Sequence, residues 1–134
     1  MVETQVSKLT ILLRGLTKRC PRCGEHDLFR RWTEMVDACP RCGLHFEQED
    51  GYWVGALTVN TIVSMVLFGL VISLTVALTW PDIPVYETML FGSIAGIAFP
   101  YFYYPFSKTN WVAIDLAFFH PELMQPGTGL HPRR

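Results

Sequence analysis

The chain has 134 residues, half of them hydrophobic and 17% charged, with a formal net charge of −1. That length leaves no room for a second large domain beside one compact unit. So apolar a chain does not build a conventional water-soluble core, because too little polar sequence remains to cover it.

The N-terminal apolar run is only Ile11-Leu12-Leu13, broken by Lys8 and Arg14, with no small-residue cleavage site after it, so it is not a signal peptide. Val6, Leu9, Leu12, Leu13 and Leu16 recur at helical spacing. Residues 1–18 are therefore expected to form an amphipathic helix, lying on the membrane surface or packed on the rest of the chain.

Two identical pentapeptides follow, Cys20-Pro21-Arg22-Cys23-Gly24 and Cys39-Pro40-Arg41-Cys42-Gly43. Each Cys-x-x-Cys sets two sulfurs on one turn, and the intervening residues suffice for one short hairpin that brings the turns together. Proline after the first cysteine fixes φ, and glycine after the second permits the positive φ that turns backbone N–H groups toward sulfur. Cys20, Cys23, Cys39 and Cys42 are thus the expected ligands of one tetrahedral metal ion. Zinc is the expected ion and iron the alternative, since thiolates alone do not separate the two. Two disulfides are disfavoured in the reducing cytoplasm, where the charge pattern below places this segment. A thioredoxin-like pair lacks its βαβ context. Four cysteines leave no open coordination position, which points to a structural ion.

Residues 19–50 read as a zinc ribbon with short β-hairpins around a small core of Leu28, Phe29, Trp32, Met35 and Phe46. A module this small needs metal binding for much of its folding free energy. Glu47, Glu49 and Asp50 read as a solvated acidic linker.

From Gly51 to Pro81 no charged residue occurs for 31 positions, and from Thr88 to Ser107 none for 20. Such runs reach the roughly 18–20 residues that cross a bilayer, so a two-helix transmembrane hairpin is expected over 51–106, with spans at about 53–79 and 86–106. Residues 1–41 hold eight Lys/Arg against five Asp/Glu, whereas the turn from Trp80 to Glu87 holds only acids. The positive-inside rule then places both termini in the cytoplasm of a multi-pass inner-membrane protein. Gly69 with Ser73, and Gly92 with Gly96, form small-xxx-small faces expected to pack the hairpin. Asn60 is expected to make an interhelical hydrogen bond or to contact another membrane subunit. Ser107 or Thr109 is positioned to cap a short interfacial helix to about Phe119, and the tail within 107–134 reads as flexible.

The C-P-R-C-G-E…L-F and C-P-R-C-G-L turns, the E-D-G-Y-W-V-G-A entry to the first span and the P-F-S-K-T-N-W-V-A-I-D exit from the second resemble the bacterial family called domain of unknown function 983, over about residues 9–120. The resemblance implies an inner-membrane protein with a zinc-ribbon-like head and two spans. By genomic association alone it also implies the neighbourhood of respiratory complexes. It carries over no catalytic residue.

The functional expectation is an accessory or assembly subunit that contacts membrane lipid and docks a protein partner in a larger membrane complex. Its zinc head would present Arg22, Arg30, Arg31, Trp32 and Arg41 to that partner. The alternative is a metal or redox carrier using the four cysteines. Nucleic-acid binding is not expected, because Glu25, Asp27, Glu34 and Asp37 dilute the basic patch. No small-molecule substrate is identified and no enzyme activity is expected, since the four histidines show no paired ligand spacing. Lys108 is read as a topology anchor and Asp115 as a carboxylate on a helix surface.

Overall fold

The structure, a computed structural model, describes residues 6–47 and 49–125. The expected tail beyond residue 125 and the first five residues lie outside them. The described chain is mostly helical: α1 (Lys8–Leu16), α2 (Trp53–Thr79) and α3 (Val85–Ile114) are followed by a π-helical turn, Asp115–Phe119, and a 3-10 turn, Pro121–Met124. α2 packs along α3, and α1 lies across the C-terminal end of α3.

At 1.5 Å per residue α2 is roughly 40 Å long. Among the described residues it is the one helix long and apolar enough to cross a membrane, with a mean hydropathy of 2.5. Its threonine hydroxyls are satisfied within the helix: Thr58, Thr61, Thr75 and Thr79 each donate to the carbonyl four residues back at 2.8–3.0 Å. That arrangement suits a helix without water around it. α3 does not meet the same measure, because Glu87, Pro100, Pro105 and tyrosines at 86, 101, 103 and 104 interrupt its apolar sequence.

Two features differ from expectation. No strand occurs among the described residues. The hairpins expected between and after the cysteine turns are reduced to isolated antiparallel bridges, Phe29 with Met35 and Ala38 with His45. Between the turns the backbone pairs through Val36 N–H to Leu28 O at 2.8 Å and Arg30 N–H to Glu34 O at 2.9 Å, and no ladder develops among the described residues. Second, no separate interfacial helix begins at Ser107. α3 runs unbroken through Pro105 to Ile114, and Ser107, Thr109, Asn110, Val112, Ala113, Asp115, Leu116 and Ala117 are buried. Protein covers most of the segment, polar and apolar residues alike, and Phe118 and Phe119 at its end are exposed.

Positions four apart on that helix end share a face, and successive faces meet different neighbours. Thr109 and Ala113 meet α1, where Thr109 Oγ1 donates to Gly15 O at 2.7 Å and a Cβ on Gly15 would lie 2.5 Å from Ala113 Cβ. Val112 and Leu116 join one apolar cluster with Cys20, Leu28, Met35, Cys39, Leu44 and Phe46. Of the expected small core, Leu28, Met35 and Phe46 are buried and Phe29 packs at the edge. Trp32 is 47% exposed and meets Phe102 of α3 edge-on, with the Lys18 ammonium 4.3 Å from its ring centroid.

Along the helix pair the fit is large into small. Gly92 and Gly96 of α3 receive Phe68, with Ile72 also close to Gly92. Asn60 is buried and its Nδ2 donates to Pro100 O at 3.1 Å. Gly69 and Ser73 do not take part: a Cβ on Gly69 would have nothing within 4 Å, and Ser73 is exposed. Phe68 supplies the bulk that fills the α3 glycines, and the next residue, about 100° further round the helix, necessarily turns outward.

Candidate metal centre

The two cysteine turns are built alike. In each, the glycine N–H returns to the first cysteine's carbonyl, Gly24 to Cys20 at 2.8 Å and Gly43 to Cys39 at 2.9 Å. The first cysteine's N–H then bonds the residue beyond the glycine, Cys20 to Glu25 O at 2.8 Å and Cys39 to Leu44 O at 2.9 Å. Closing such a turn requires a left-handed residue, and Gly24 and Gly43 sit at φ of 82° and 70°. Arg14 of α1 braces the first turn by donating to Pro21 O and Arg22 O at 3.2 and 3.0 Å.

The turns face each other, and all four sulfurs lie within 4.8 Å of one another, a cluster able to hold a metal ion. Cys23 and Cys39 Sγ are 3.5 Å apart, and Cys20 and Cys42 Sγ 3.8 Å. These separations are far beyond the roughly 2.05 Å of a disulfide bond, and all four cysteines are free.

Burial pushes the Cys20 thiol well above its ordinary range, against the pull of the Cys23 and Arg22 backbone N–H groups. Burial likewise pushes Cys42 up to about 11, against the Leu44 N–H. At Cys39 burial also opposes ionisation, but hydrogen bonds from the Cys42 and Arg41 N–H groups and the neighbouring thiols outweigh it and lower the pKa. Backbone donors thus converge on sulfurs whose apolar setting opposes bare negative charge. A cation at the centre resolves that conflict.

The residues expected to meet a partner are dispersed. Arg30 is exposed, Arg31 is exposed and 3.8 Å from Glu34, and Arg41 reaches Glu25 at 4.0 Å. Arg22 donates to Gln125 O, and Trp32 leans toward α3.

A second group has no counterpart in the sequence pattern. Asp115 is not on a helix surface; it is 4% exposed. Tyr52 OH donates to its Oδ2 at 3.0 Å, and His120 Nδ1 lies 2.9 Å from its Oδ1. The π-helical turn makes this possible. His120 N–H bonds Asp115 O five residues back at 2.8 Å, carrying the imidazole onto the carboxylate. Burial and then the Asp115 charge raise the Tyr52 pKa, so its hydroxyl stays a donor. Tyr52, Asp115 and His120 line a cavity with Glu49, Asp50 and Trp111. Gly55 admits the Trp111 ring, whose atoms lie 2.1–2.5 Å from where a Cβ would stand. Asp115 and His120 are five apart, a spacing that no regular helix pairs, so periodicity carries no signal of their meeting.

A family described as protein of unknown function, DUF983, matches residues 29–115. The chain belongs to the DUF983 family. The matched segment contains the second cysteine turn, both long helices, Tyr52 and Asp115, and begins after the first cysteine turn. No curated protein and no solved structure matches the chain.

Proposed function

We propose that this DUF983 protein is an integral membrane accessory or assembly subunit whose structural zinc centre holds a cytoplasmic docking head rigidly on the end of a two-helix transmembrane hairpin. The observation that carries this reading is the shared core: Cys20 and Cys39 pack in one cluster with Val112 and Leu116 at the end of α3. A metal there both organises the surface of residues 19–50 and fastens it to the helix pair.

A four-coordinate thiolate metal such as zinc is supported by the sulfur cage. A tetrahedron with Zn–S of about 2.3 Å has edges near ~3.8 Å, against 3.8 Å for Cys20–Cys42 and 3.5 Å for Cys23–Cys39. Four sulfurs with no place for a fifth ligand favour a structural ion over a carrier. The exposed side chains of α2 and of the first turns of α3, among them Met65, Leu70, Leu78, Met89 and Ile97, favour lipid around both helices. Exposed Leu9, Leu13 and Leu16 on α1 favour contact with the inner leaflet. The positive-inside pattern supports cytoplasmic termini in the inner membrane, and Arg30, Arg31 and Arg41 are exposed cations available to a partner.

The test is a mild-detergent purification of the tagged chain, with mass spectrometry of co-purifying proteins and elemental analysis of the same sample. About one zinc per chain together with a stoichiometric membrane complex is expected. A monomer carrying copper or iron that it exchanges in vitro overturns the reading in favour of a carrier.

A further inference from the structure

On one side of α3 the polypeptide steps down from the buried end of the helix toward its apolar span. Gly15 packs on Thr109 and Ala113, the Lys18 ammonium lies 4.3 Å from the Phe106 ring centroid, and the Trp32 ring meets Phe102 edge-on. From Thr109 to Phe102 that descent is about 10 Å along the helix axis. Phe102 and Tyr101 touch edge-on and are 58% and 63% exposed, so with Trp32 they form one open aromatic ridge. Aromatic rings at the end of an apolar span match the belt that marks a membrane interface.

Lys18 is the cation on this ridge, and two observations set it apart. Its ammonium lies over Trp32, Phe106 and Phe29 at 4.3, 4.3 and 5.5 Å, yet it enters no ion pair among the described residues. Glu34, an acid of the neighbouring loop, lies 3.8 Å from Arg31 instead. The second observation is conformational. Lys18 is left-handed at φ 55°, where the other left-handed positions among the described residues are Gly24, Gly43 and Gly51. A side chain is disfavoured there relative to glycine, so the turn retains a cation at a conformational cost. Ring faces attract that charge without neutralising it, and Lys18 is only partly buried. Exposed Arg30 and Arg31 on the same loop add to the positive field, which favours anionic headgroups beside a bilayer.

We infer that the ridge of Lys18, Trp32 and Phe102 docks an anionic phospholipid of the inner leaflet, its phosphate meeting the Lys18 ammonium and its glycerol region lying on the two rings. The inference rests on the membrane placement proposed above.

The test uses the full-length protein in detergent, titrated calorimetrically with dihexanoyl-phosphatidylglycerol, dihexanoyl-phosphatidylcholine and free glycerol 3-phosphate. The anionic lipid is expected to bind about fivefold or more tightly than the zwitterionic one. Lys18→Gly removes the cation while suiting the left-handed backbone, so it is expected to abolish that preference with metal content and thermal stability retained. Lys18→Arg is expected to keep the preference. Trp32→Ala is expected to weaken both lipids alike, since the ring does not read charge. Equal affinity of the wild-type protein for the two lipids, or an undiminished preference in Lys18→Gly, overturns the inference. Loss of a co-purifying protein from Lys18→Gly with the lipid preference intact assigns the ridge to an acidic protein and overturns it likewise. Free glycerol 3-phosphate binding as tightly as the lipid overturns the lipid source. Alkaline carbonate extraction of membranes carrying the protein separates the two readings. Release of the protein defeats the membrane placement, whereas retention without headgroup preference defeats this inference alone.

Discussion

The two ends of the α2–α3 pair are held by different physics. At the cysteine end, polar side chains bond to specific partners: Thr109 to Gly15 O, Tyr52 to Asp115, and Lys108 to Thr33 O at 2.8 Å. Toward Trp80 the helices touch through Gly92, Gly96 and Phe68, and most other side chains are exposed and apolar. Directional bonds define one end, while the other depends on the solvent that surrounds it. A substitution should therefore be costly at the first end and nearly silent at the second.

The largest expected effect comes from Cys23→Ser. Binding of a structural four-thiolate zinc is worth on the order of 10 kcal/mol in small modules, so the variant should lose its metal by elemental analysis. Residues 19–50 should become susceptible to limited proteolysis while the long helices persist by circular dichroism. A protease-resistant head in the metal-free variant would show that packing on Val112 and Leu116 suffices without the ion.

Glycines sharpen the contrast. Gly55→Ala places a methyl inside the Trp111 ring and Gly15→Ala places one against Ala113; each should lower stability by about 1–3 kcal/mol, the usual range for overpacking. Gly69→Ala meets open space and should be neutral or slightly stabilising, since alanine is favoured over glycine in a helix by about 1 kcal/mol. Thermal unfolding in one detergent ranks all three, and equal losses would erase the distinction between the ends.

Tyr52→Phe removes a donor from a buried carboxylate and should cost about 1–3 kcal/mol near neutral pH. The sign of its pH dependence follows from a folded-state pKa raised above the ordinary 10.0. The folded protein holds that proton more tightly than the unfolded chain does, so the stabilisation is complete below about pH 10 and declines above it. The stability gap between wild type and Tyr52→Phe should therefore narrow as pH rises past 10; a constant gap removes the linkage. The smallest effect on stability belongs to Arg30→Ala with Arg31→Ala, less than about 0.5 kcal/mol for such exposed positions. Under the proposed function the same pair should reduce recovery of the partner complex, and full recovery would remove these arginines from the docking surface.

What could be read in the sequence was whatever depends on local spacing. The cysteine pairs, with their prolines and glycines, specify their turns within five residues, and the uncharged run from Gly51 to Pro81 announces α2. Contacts set by register were hidden. The segment from Ser107 onward suggested lipid exposure because apolar residues around a helix look the same whether lipid or protein covers them. Gly69 appeared equivalent to Gly92, although only the latter receives a phenylalanine. Asp115 met His120 through one extra residue in a helical turn, which no regular period anticipates.

That turn has a mechanical consequence. Val112 and Leu116 press on the sulfur cluster while Trp111 and Asp115 form the wall of the cavity, so one short length of backbone is shared by both. Clamping it on the metal side should damp its opening on the other. Stripping the ion with a chelator is expected to speed hydrogen exchange at the His120 amide, which bonds Asp115 O, well before α2 responds. The turn would then serve as a strain gauge between the sulfur cluster and the cavity, reporting the state of one as the stiffness of the other.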